Sequence, residues 1–424
     1  MKSIQSVLPL KEIGIAILLL VTPIGMYMNH FVVDIRWSDK LAVVGCLLAV
    51  NYEGLFKRTK SLFKSGGWLL ELILLFQLIC LVSALLLGLP ISNNIFWGQI
   101  TVCFFIVALK SNLERNKISY DRLLVVMQFL TTILAFLSLY CLRSGLFEET
   151  RSEDVRILEA FTMSAGCVAN VIVSLFSLTR LRVKFPVKLI VLAGVIVSIF
   201  CALSLTKRTP VVVILIAVAL FAYKYYPYLK RYMPTFVFYS AAAALFVYFI
   251  VGTDVFIELF DNFVTNTTNG VNDIVTGSST DNTGSAVARF INRERALAFF
   301  YSNYSIPNLI FGAGYLSLGQ IDNQLLQAYV EMGLFGALAV ILSVVLPFYY
   351  LLKSKADLYS WQSFVIQFSA MLCLYQSICF YNSGHPYSFV RWIPMSFFAF
   401  CLESVRRDKN AYNTPQNSDL SFRK

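Results

Sequence analysis

The sequence "DNQLLQAYVEMGLFG", which begins at Asp322, concentrates polar side chains that can do chemistry inside a very apolar chain. Asp322 carries a carboxylate that can act as a general base, and Asn323 beside it can cap a helix. Gln324, Gln327 and Glu331 follow at steps of three or four and predict one polar stripe along a helix. A helix cap explains one residue of the first pair and leaves the stripe unexplained. We therefore expect the first turns of this helix to stand above the lipid or to line a wet cavity, and Glu331, deeper in, to face protein or water.

Arginines near this stretch and in one earlier turn are candidates for binding phosphate, because a guanidinium makes fork-like contacts and stays charged. Arg289 and Arg293 are four residues apart, so on a helix they share one face, and Arg295 lies nearly opposite. Arg208 stands in the tight turn "LTKRTP" between two apolar runs. The structural alternative is that these arginines anchor helices at a membrane surface. Since such anchors are commoner on the cytoplasmic side, and these four are predicted on the other, we favour substrate binding.

Histidine is scarce, and His30 and His385 are the only two in the chain. His385 precedes the last apolar run and is a second candidate base beside Asp322, with a purely structural histidine as the alternative. Tyr315 closes the loop sequence ahead of the polar stripe and is a further candidate for contacting a substrate. The nine cysteines lie in or beside apolar runs without a CxxC pair, so neither disulfides nor a zinc site is predicted. No phosphate-loop or metal motif is present, and we expect neither metal nor cofactor.

The composition predicts that a membrane-embedded helical bundle positions these residues. The chain has 424 residues, of which 58% are apolar and only 14% charged, and its mean hydropathy is +0.68. A soluble domain needs far more charge at its surface. Apolar runs of membrane-spanning length recur along the chain and predict an all-α polytopic protein of about twelve transmembrane helices. They cover roughly residues 10–28, 39–56, 68–90, 94–110, 123–143, 157–178, 188–206, 210–226, 235–253, 330–352, 360–380 and 390–405.

Basic residues predict the orientation of this bundle. With the N-terminus inside, about 24 of the 35 Lys and Arg residues lie on the cytoplasmic side and about 11 on the other. Both termini are therefore expected in the cytoplasm, and the first apolar run, which lacks a cleavage pattern, is expected to be retained. We expect a single bundle over residues 1–405 and a cytoplasmic tail over 406–424. The basic residues are divided among short loops, which argues against nucleic acid as a partner.

One large outward loop, over residues 254–322, separates the ninth and tenth predicted helices. Its first half, "DNFVTNTTNGVNDIVTGSSTDNTGS", is rich in Asn, Thr, Ser and Gly and is expected to be extended or mobile. Its second half predicts a helix, followed by a turn that Pro307, Gly312 and Gly314 enforce. A loop this long in a compact bundle is usually functional or disordered, and these two halves suggest one of each.

Residues 285–340 resemble the O-antigen polymerase and O-antigen ligase superfamily of polytopic membrane glycosyltransferases. The shared pattern is an arginine, an amphipathic stretch, a proline followed by Phe-Gly-x-Gly, a His-Asn helix start and a Glu-x-Gly-x-x-Gly sequence. In this chain the pattern reads Arg293 (or Arg289), "PNLIFGAG", "DNQLLQ" and "EMGLFG". Asp322 replaces the histidine that the ligases have, so the resemblance favours the polymerase branch, with Asp322 in the role of the base.

The resemblance implies a metal- and nucleotide-independent glycosyltransferase at the periplasmic face of a bacterial inner membrane. Donor and acceptor would be repeat units linked to undecaprenyl pyrophosphate, and the product would be an O-antigen, capsule or exopolysaccharide. Arg208, Arg289, Arg293 and Arg295 would hold the pyrophosphate, while Asn323, Gln327 and Tyr315 would contact the glycan. Membrane lipids surround such an enzyme, and a chain-length regulator and a flippase are its expected partners.

Three alternatives stay open. A ligase that transfers the finished glycan to a lipid A core would have the same fold and a different acceptor. A polysaccharide flippase or transporter predicts charged or broken helices at mid-membrane, of which the sequence indicates few. A scaffold of the same shape without catalysis is the third, because fold and function often part company. The sequence leaves the choice of base between Asp322 and His385 undecided.

Overall fold

The computed structural model describes most of the helical parts of the chain. The described ranges are residues 9–32, 37–52, 67–86, 94–113, 118–146, 158–181, 184–205, 209–226, 285–316, 323–355, 360–379 and 385–412, with isolated residues between them. For residues 285–290, the backbone alone is described.

Every long element in these ranges is a helix, as the composition predicts. In chain order the helices are α1 (Leu10–Leu19), α2 (Val21–Phe31), α3 (Trp37–Ala49), α4 (Trp68–Leu86), α5 (Asn94–Asn112), α6 (Tyr120–Arg143), α7 (Ala160–Arg180), α8 (Phe185–Ser204), α9 (Thr209–Tyr226), α10 (Ser285–Ser302), α11 (Ile306–Phe311), α12 (Gln324–Lys353), α13 (Trp361–Cys379) and α14 (Phe389–Tyr412).

Seven of the described helices (α4 to α9 and α12) are long and apolar enough to cross a membrane, or eight if the bent pair α1–α2 forms one span. The protein is therefore membrane-embedded and polytopic, while the predicted number of twelve spans is not confirmed. The second predicted span is a helix of 13 residues, about 20 Å long, which is shorter than a bilayer core of about 30 Å. Helix α13 carries three glutamines that reduce its apolar character, and α14 carries the charged run Arg406 to Lys409 before it ends at Tyr412. The predicted span at 235–253 lies outside the described residues.

The first predicted span is broken rather than straight, because α1 and α2 meet at Leu20 with a bend of 84°. In a continuous helix the carbonyl of Leu19 would accept from the backbone nitrogen of residue 23, but that residue is Pro23 and has no N–H. The side chain of Gln376 in α13 donates to this carbonyl at 2.6 Å instead. A broken helix in a membrane needs such a replacement, since lipid offers no hydrogen bond.

Helix α7 lies near the centre of the bundle and is buried almost all round, packed against α2, α6, α8 and α13. Its small residues, such as Gly166, allow neighbouring helices to approach closely. Polar side chains link it to two neighbours: Gln128 of α6 donates to Ser174 at 3.0 Å, and Asn170 donates to Ser198 of α8 at 3.0 Å. These bonds hold α6, α7 and α8 in register beneath the lipid-facing surface.

The region that the sequence assigns to the second half of a large loop is helical in the structure. It comprises α10 and the short α11. Ser305 caps the start of α11, Pro307 lies in its first turn, and Gly312 caps its end. Ala296 of α10 is fully buried and packs with Leu318, Ile321 and Val330 in a small apolar cluster. This cluster attaches α10 to the first turns of α12. Most of the first half of the loop lies outside the described residues.

Candidate functional site

Two glycines fasten the loop that follows α11 onto helix α12. Gly333 interrupts α12 with φ 61° and ψ −152°, so the helix is two segments joined at a kink. Just before the kink, the carbonyl of Val330 accepts from the Ala313 N–H at 2.8 Å, and that of Glu331 accepts from the Gly314 N–H at 3.4 Å. A Cβ on Gly312 would stand 2.2 Å from the backbone of Glu331. The two segments of the chain contact each other through their backbones at Gly312 and Gly333, and a side chain at either position would prevent this contact.

The residues of the polar stripe precede this kink in α12, and they are buried inside the protein. Gln324, Gln327 and Glu331 are each at most 1% exposed. Gln327 Nε2 donates to Glu331 Oε1 at 3.3 Å, and the backbone N–H of Leu318 donates to the same oxygen at 3.2 Å. Gln327 Oε1 accepts from the Ile321 N–H at 3.4 Å. The stripe therefore faces protein, and it holds the loop ahead of α12 in place.

His385 contacts Gln327 from another part of the chain, and together with Glu331 these residues form a buried polar cluster. It lies between α13 and α14, and its Nε2 is 2.9 Å from Gln327 Nε2. Burial lowers the pKa of His385 to about 4, so the imidazole is neutral at physiological pH. Its ring lies 5.3 Å from that of Tyr387, measured between centroids. The structure thus brings together Gln327 and His385, which the sequence placed in separate groups of candidates.

Tyr315 and Gln99 also belong to the cluster and are hydrogen-bonded to each other. Gln99 of α5 donates through Nε2 to the Tyr315 hydroxyl, and the rings of Tyr315 and Tyr387 lie 4.7 Å apart. Burial raises the pKa of both tyrosine hydroxyls, so both stay protonated. The structure places Tyr315 beside Tyr387, in contact with the same cluster. Gln99 and Tyr387 were not predicted, since a single polar residue beside an apolar run carries no signal of its tertiary neighbours.

Several buried polar atoms of the cluster have no hydrogen-bond partner among the described residues: Gln99 Oε1, Glu331 Oε2, His385 Nδ1 and the Tyr387 hydroxyl oxygen. The Tyr387 hydroxyl lies beside the Glu331 carboxylate, but no hydrogen bond of ordinary geometry joins them. A small movement of Tyr387 would pair these two groups and still leave Gln99 Oε1 and His385 Nδ1 unpaired. Buried polar atoms are normally satisfied by protein, water or ligand. The cluster is therefore suited to receive water or a ligand rich in hydroxyl groups.

Arg391, in the first turn of α14, contacts the first residue of the stripe, Gln324. It is 3% exposed, its Nη1 donates to Ser343 Oγ at 2.8 Å, and its Nη2 donates to Gln324 Oε1. A second acceptor for Nη2 is the Ser377 carbonyl at 3.5 Å. These contacts join α12, α13 and α14 at the end where the cluster lies. A single arginine at the start of an apolar run carries no sequence signal that it is buried.

The remaining predicted site residues are placed less centrally. Asn323 is exposed and caps α12, with its Oδ1 accepting from the Leu326 N–H at 3.0 Å. Arg293 and Arg295 both have exposed side chains on α10. Arg289 lies in the same helix, but its side chain is not described. Asp322 and Arg208 lie outside the described residues.

Within the described part of the chain, no group of three His, Cys, Asp or Glu side chains could hold a metal ion. The nine cysteines are all free thiols. No protein-family model matches the sequence. No curated protein shows significant similarity to it either.

Proposed function

We propose that this chain is a membrane glycosyltransferase that joins polyprenyl-pyrophosphate-linked oligosaccharide repeat units into a longer surface polysaccharide. In this reaction an acceptor hydroxyl attacks the anomeric carbon of the donor glycan. The bond from that carbon to the phosphate oxygen breaks, and the polyprenyl pyrophosphate leaves with the electron pair. The hydroxyl proton passes to a base. Pyrophosphate is a good leaving group, so the protein needs to supply charge, orientation and a proton acceptor.

The observation that carries this proposal is the set of unpaired polar atoms around Glu331, His385 and Gln99, buried next to the start of α12. A buried acceptor or donor without a partner costs about 1–3 kcal/mol, so a ligand that pairs with it regains that free energy. Sugar hydroxyls both donate and accept, and they match a mixed group of donors and acceptors. The rings of Tyr315 and Tyr387 pack against each other beside this group.

The charged residues around the cluster have separate roles in the proposal. Arg293 and Arg295 are exposed on α10, which packs on α12, and so are accessible to a pyrophosphate at the membrane surface. Arg208 and Arg289 join them as pyrophosphate ligands. Asp322 precedes the helix cap Asn323 and serves as the base. The site lies on the periplasmic face of the inner membrane, where lipid-linked repeat units are the substrates.

The direct test is product analysis with the purified chain in nanodiscs and a polyprenyl-pyrophosphate-linked repeat unit from its host. A ladder of repeat-unit multiples supports the polymerase. Asp322→Ala and Asp322→Asn are expected to lower turnover by about 10²–10⁴-fold, the usual contribution of a general base. Glu294→Gln is the matched control, because Glu294 is an exposed carboxylate on α10 outside the cluster. Full activity of Asp322→Ala would remove Asp322 as the base.

Two other outcomes identify the alternatives. Transfer that needs an added lipid A core indicates a ligase. A transporter is favoured by one observation, since two of the described helices are broken, at Leu20 and at Gly333. If no glycan product forms with a verified substrate, translocation of the lipid-linked unit in proteoliposomes becomes the decisive assay.

A further inference from the structure

The side-chain amide of Gln327 has a fixed orientation, which the neighbouring backbone imposes. Its Oε1 accepts from the Ile321 N–H at 3.4 Å, and its Nε2 donates to Glu331 Oε1 at 3.3 Å. A rotated amide would set its NH₂ against the N–H of Ile321, so that two donors would face each other. The contact with Ile321 holds whether the Glu331 carboxyl is charged or neutral. Gln327 Nε2 is therefore the atom that meets His385.

This orientation selects one form of the His385 ring. Gln327 Nε2 carries two hydrogens and no acceptor, so His385 Nε2, at 2.9 Å, receives one of them through its lone pair. In a neutral imidazole the remaining ring nitrogen then carries the hydrogen. That nitrogen, Nδ1, is buried without a partner among the described residues. His385 thus presents an N–H, and not a lone pair, at a buried position where no described residue accepts it.

We propose that Gln327 is a positioning residue that holds His385 as its Nδ1–H tautomer, so that His385 donates a hydrogen bond to a ligand oxygen. The catalytic consequence rests on the proposed function. His385 then cannot take the acceptor proton through Nε2, whose lone pair is occupied, and Asp322 is left as the base. The Nδ1–H stabilises negative charge on a ligand oxygen, whether that oxygen belongs to a sugar or to a phosphate.

The surroundings oppose a second proton on the ring. A hydrogen on Nε2 would face the Gln327 NH₂ group, and burial lowers the pKa of His385 to about 4. Among the described residues, the titratable groups that face the ring are Tyr387, at 5.3 Å between centroids, and Glu331, which shares Gln327 with it. Both the geometry and the burial favour a neutral ring.

The chain suits a direct measurement, because it has only two histidines. We would label histidine with ¹⁵N, introduce His30→Gln to leave a single ring, and record solid-state NMR spectra in lipid bilayers at neutral pH. The expected result is one unprotonated nitrogen that couples to both carbon-bound ring protons, which identifies it as Nε2. An unprotonated Nδ1, or a doubly protonated ring, overturns the proposal. This readout needs no enzyme activity, so it stands or falls separately from the proposed function.

A second measurement addresses the role of Gln327. In Gln327→Leu the donor is gone, and the spectrum is expected to show a mixture containing the Nε2–H form. An unchanged spectrum in a folded Gln327→Leu protein means that some other group sets the tautomer, which overturns the role of Gln327. If that variant does not fold, the spectrum of the His30→Gln protein still decides the tautomer.

Substitutions of His385 separate a donor from a base in the glycan assay. His385→Ala removes the donor and is expected to lower turnover about 10²-fold, the usual effect of one lost hydrogen-bond donor to developing charge. His385→Asn places an N–H close to the position of Nδ1 and is expected to retain clearly more turnover than His385→Ala. His385→Asp presents an acceptor there and is expected to be as poor as Ala. Equal activity of the Asn and Asp variants contradicts the donor role.

Discussion

The side chain of Gln376 donates a 2.6 Å hydrogen bond to the carbonyl of Leu19 at the bend between α1 and α2. The two residues are 357 positions apart, and the bond joins the first helices of the chain to α13. Leu19 lacks its usual helical partner because Pro23 has no N–H. A glutamine late in the chain thus completes a helix near its beginning.

Gln376→Leu is expected to destabilise the protein by about 1–3 kcal/mol, because it leaves a buried carbonyl unpaired. The measurement is thermal unfolding in detergent, followed by tryptophan fluorescence. Gln77→Leu is the matched control, since Gln77 of α4 is fully buried and neither of its polar atoms has a partner among the described residues. That substitution should leave the stability unchanged or raise it. Equal losses in both variants would count against the role of the Gln376 bond.

Gly333→Ala is expected to prevent the loop after α11 from docking on α12. Gly333 has φ 61°, and an added Cβ would lie 2.4 Å from the carbonyl group of Ile310. Gly145→Ala is the control, because Gly145 has φ 64° but nothing within 4 Å of an added Cβ. The control carries only the backbone strain of about 1–2 kcal/mol, whereas Gly333→Ala adds a clash with backbone. The yield of monodisperse protein on size-exclusion chromatography should fall far more for Gly333→Ala.

Acid is expected to destabilise the protein through His385. The pKa of His385 is about 4 in the folded protein because of burial, against about 6.5 in an unfolded chain. Between these values the unfolded state binds more protons, so stability is full above about pH 6.5 and falls as the pH drops towards 4. The full effect is about 3 kcal/mol. His385→Asn should flatten the dependence of unfolding temperature on pH in this window, and an unchanged dependence would show that His385 is not its source.

Two tyrosine substitutions distinguish a hydroxyl that stabilises the fold from a hydroxyl that binds the substrate. The Tyr27 hydroxyl is 2.6 Å from Ser138 Oγ, so Tyr27→Phe should cost about 1 kcal/mol of stability. The Tyr387 hydroxyl has no described hydrogen-bond partner, and Tyr387→Phe should change stability by less than about 0.5 kcal/mol. Under the proposed function, Tyr387→Phe should instead raise the KM for the acceptor glycan. A large loss of stability without a kinetic effect contradicts this assignment.

The sequence predicted the features that follow from local pattern and composition. The apolar runs predicted a membrane-embedded helical protein, and seven described helices are long and apolar enough to cross a membrane. The steps between Gln324, Gln327 and Glu331 predicted a polar stripe on one side of a helix, whereas the burial of all three side chains comes from the structure. The turn expected at Gly312 ends α11. Each of these depends on neighbours within a few positions, which a sequence shows directly.

Other features depend on residues that are distant in sequence. The break at Leu20 arises from Pro23 and is completed by Gln376, and no local pattern connects the two. The same is true of the number of spans: twelve is not confirmed, because a predicted run can form a short helix, as α3 is, or a helix with buried glutamines, as α13 is. Hydropathy measures composition, whereas crossing a membrane also requires length.

The amino-acid sequence by itself determined that the chain is helical, that it resides in a membrane, and that polar residues before Gly333 lie on one face of a helix. Only the tertiary structure decided that this face meets His385, with Gln327 Nε2 2.9 Å from its ring, and that Arg391 is buried against Gln324. Helical periodicity is a property of consecutive residues and can be read from them. The partners of a buried polar side chain are set by how the helices pack, because each donor must find its acceptor in another part of the chain.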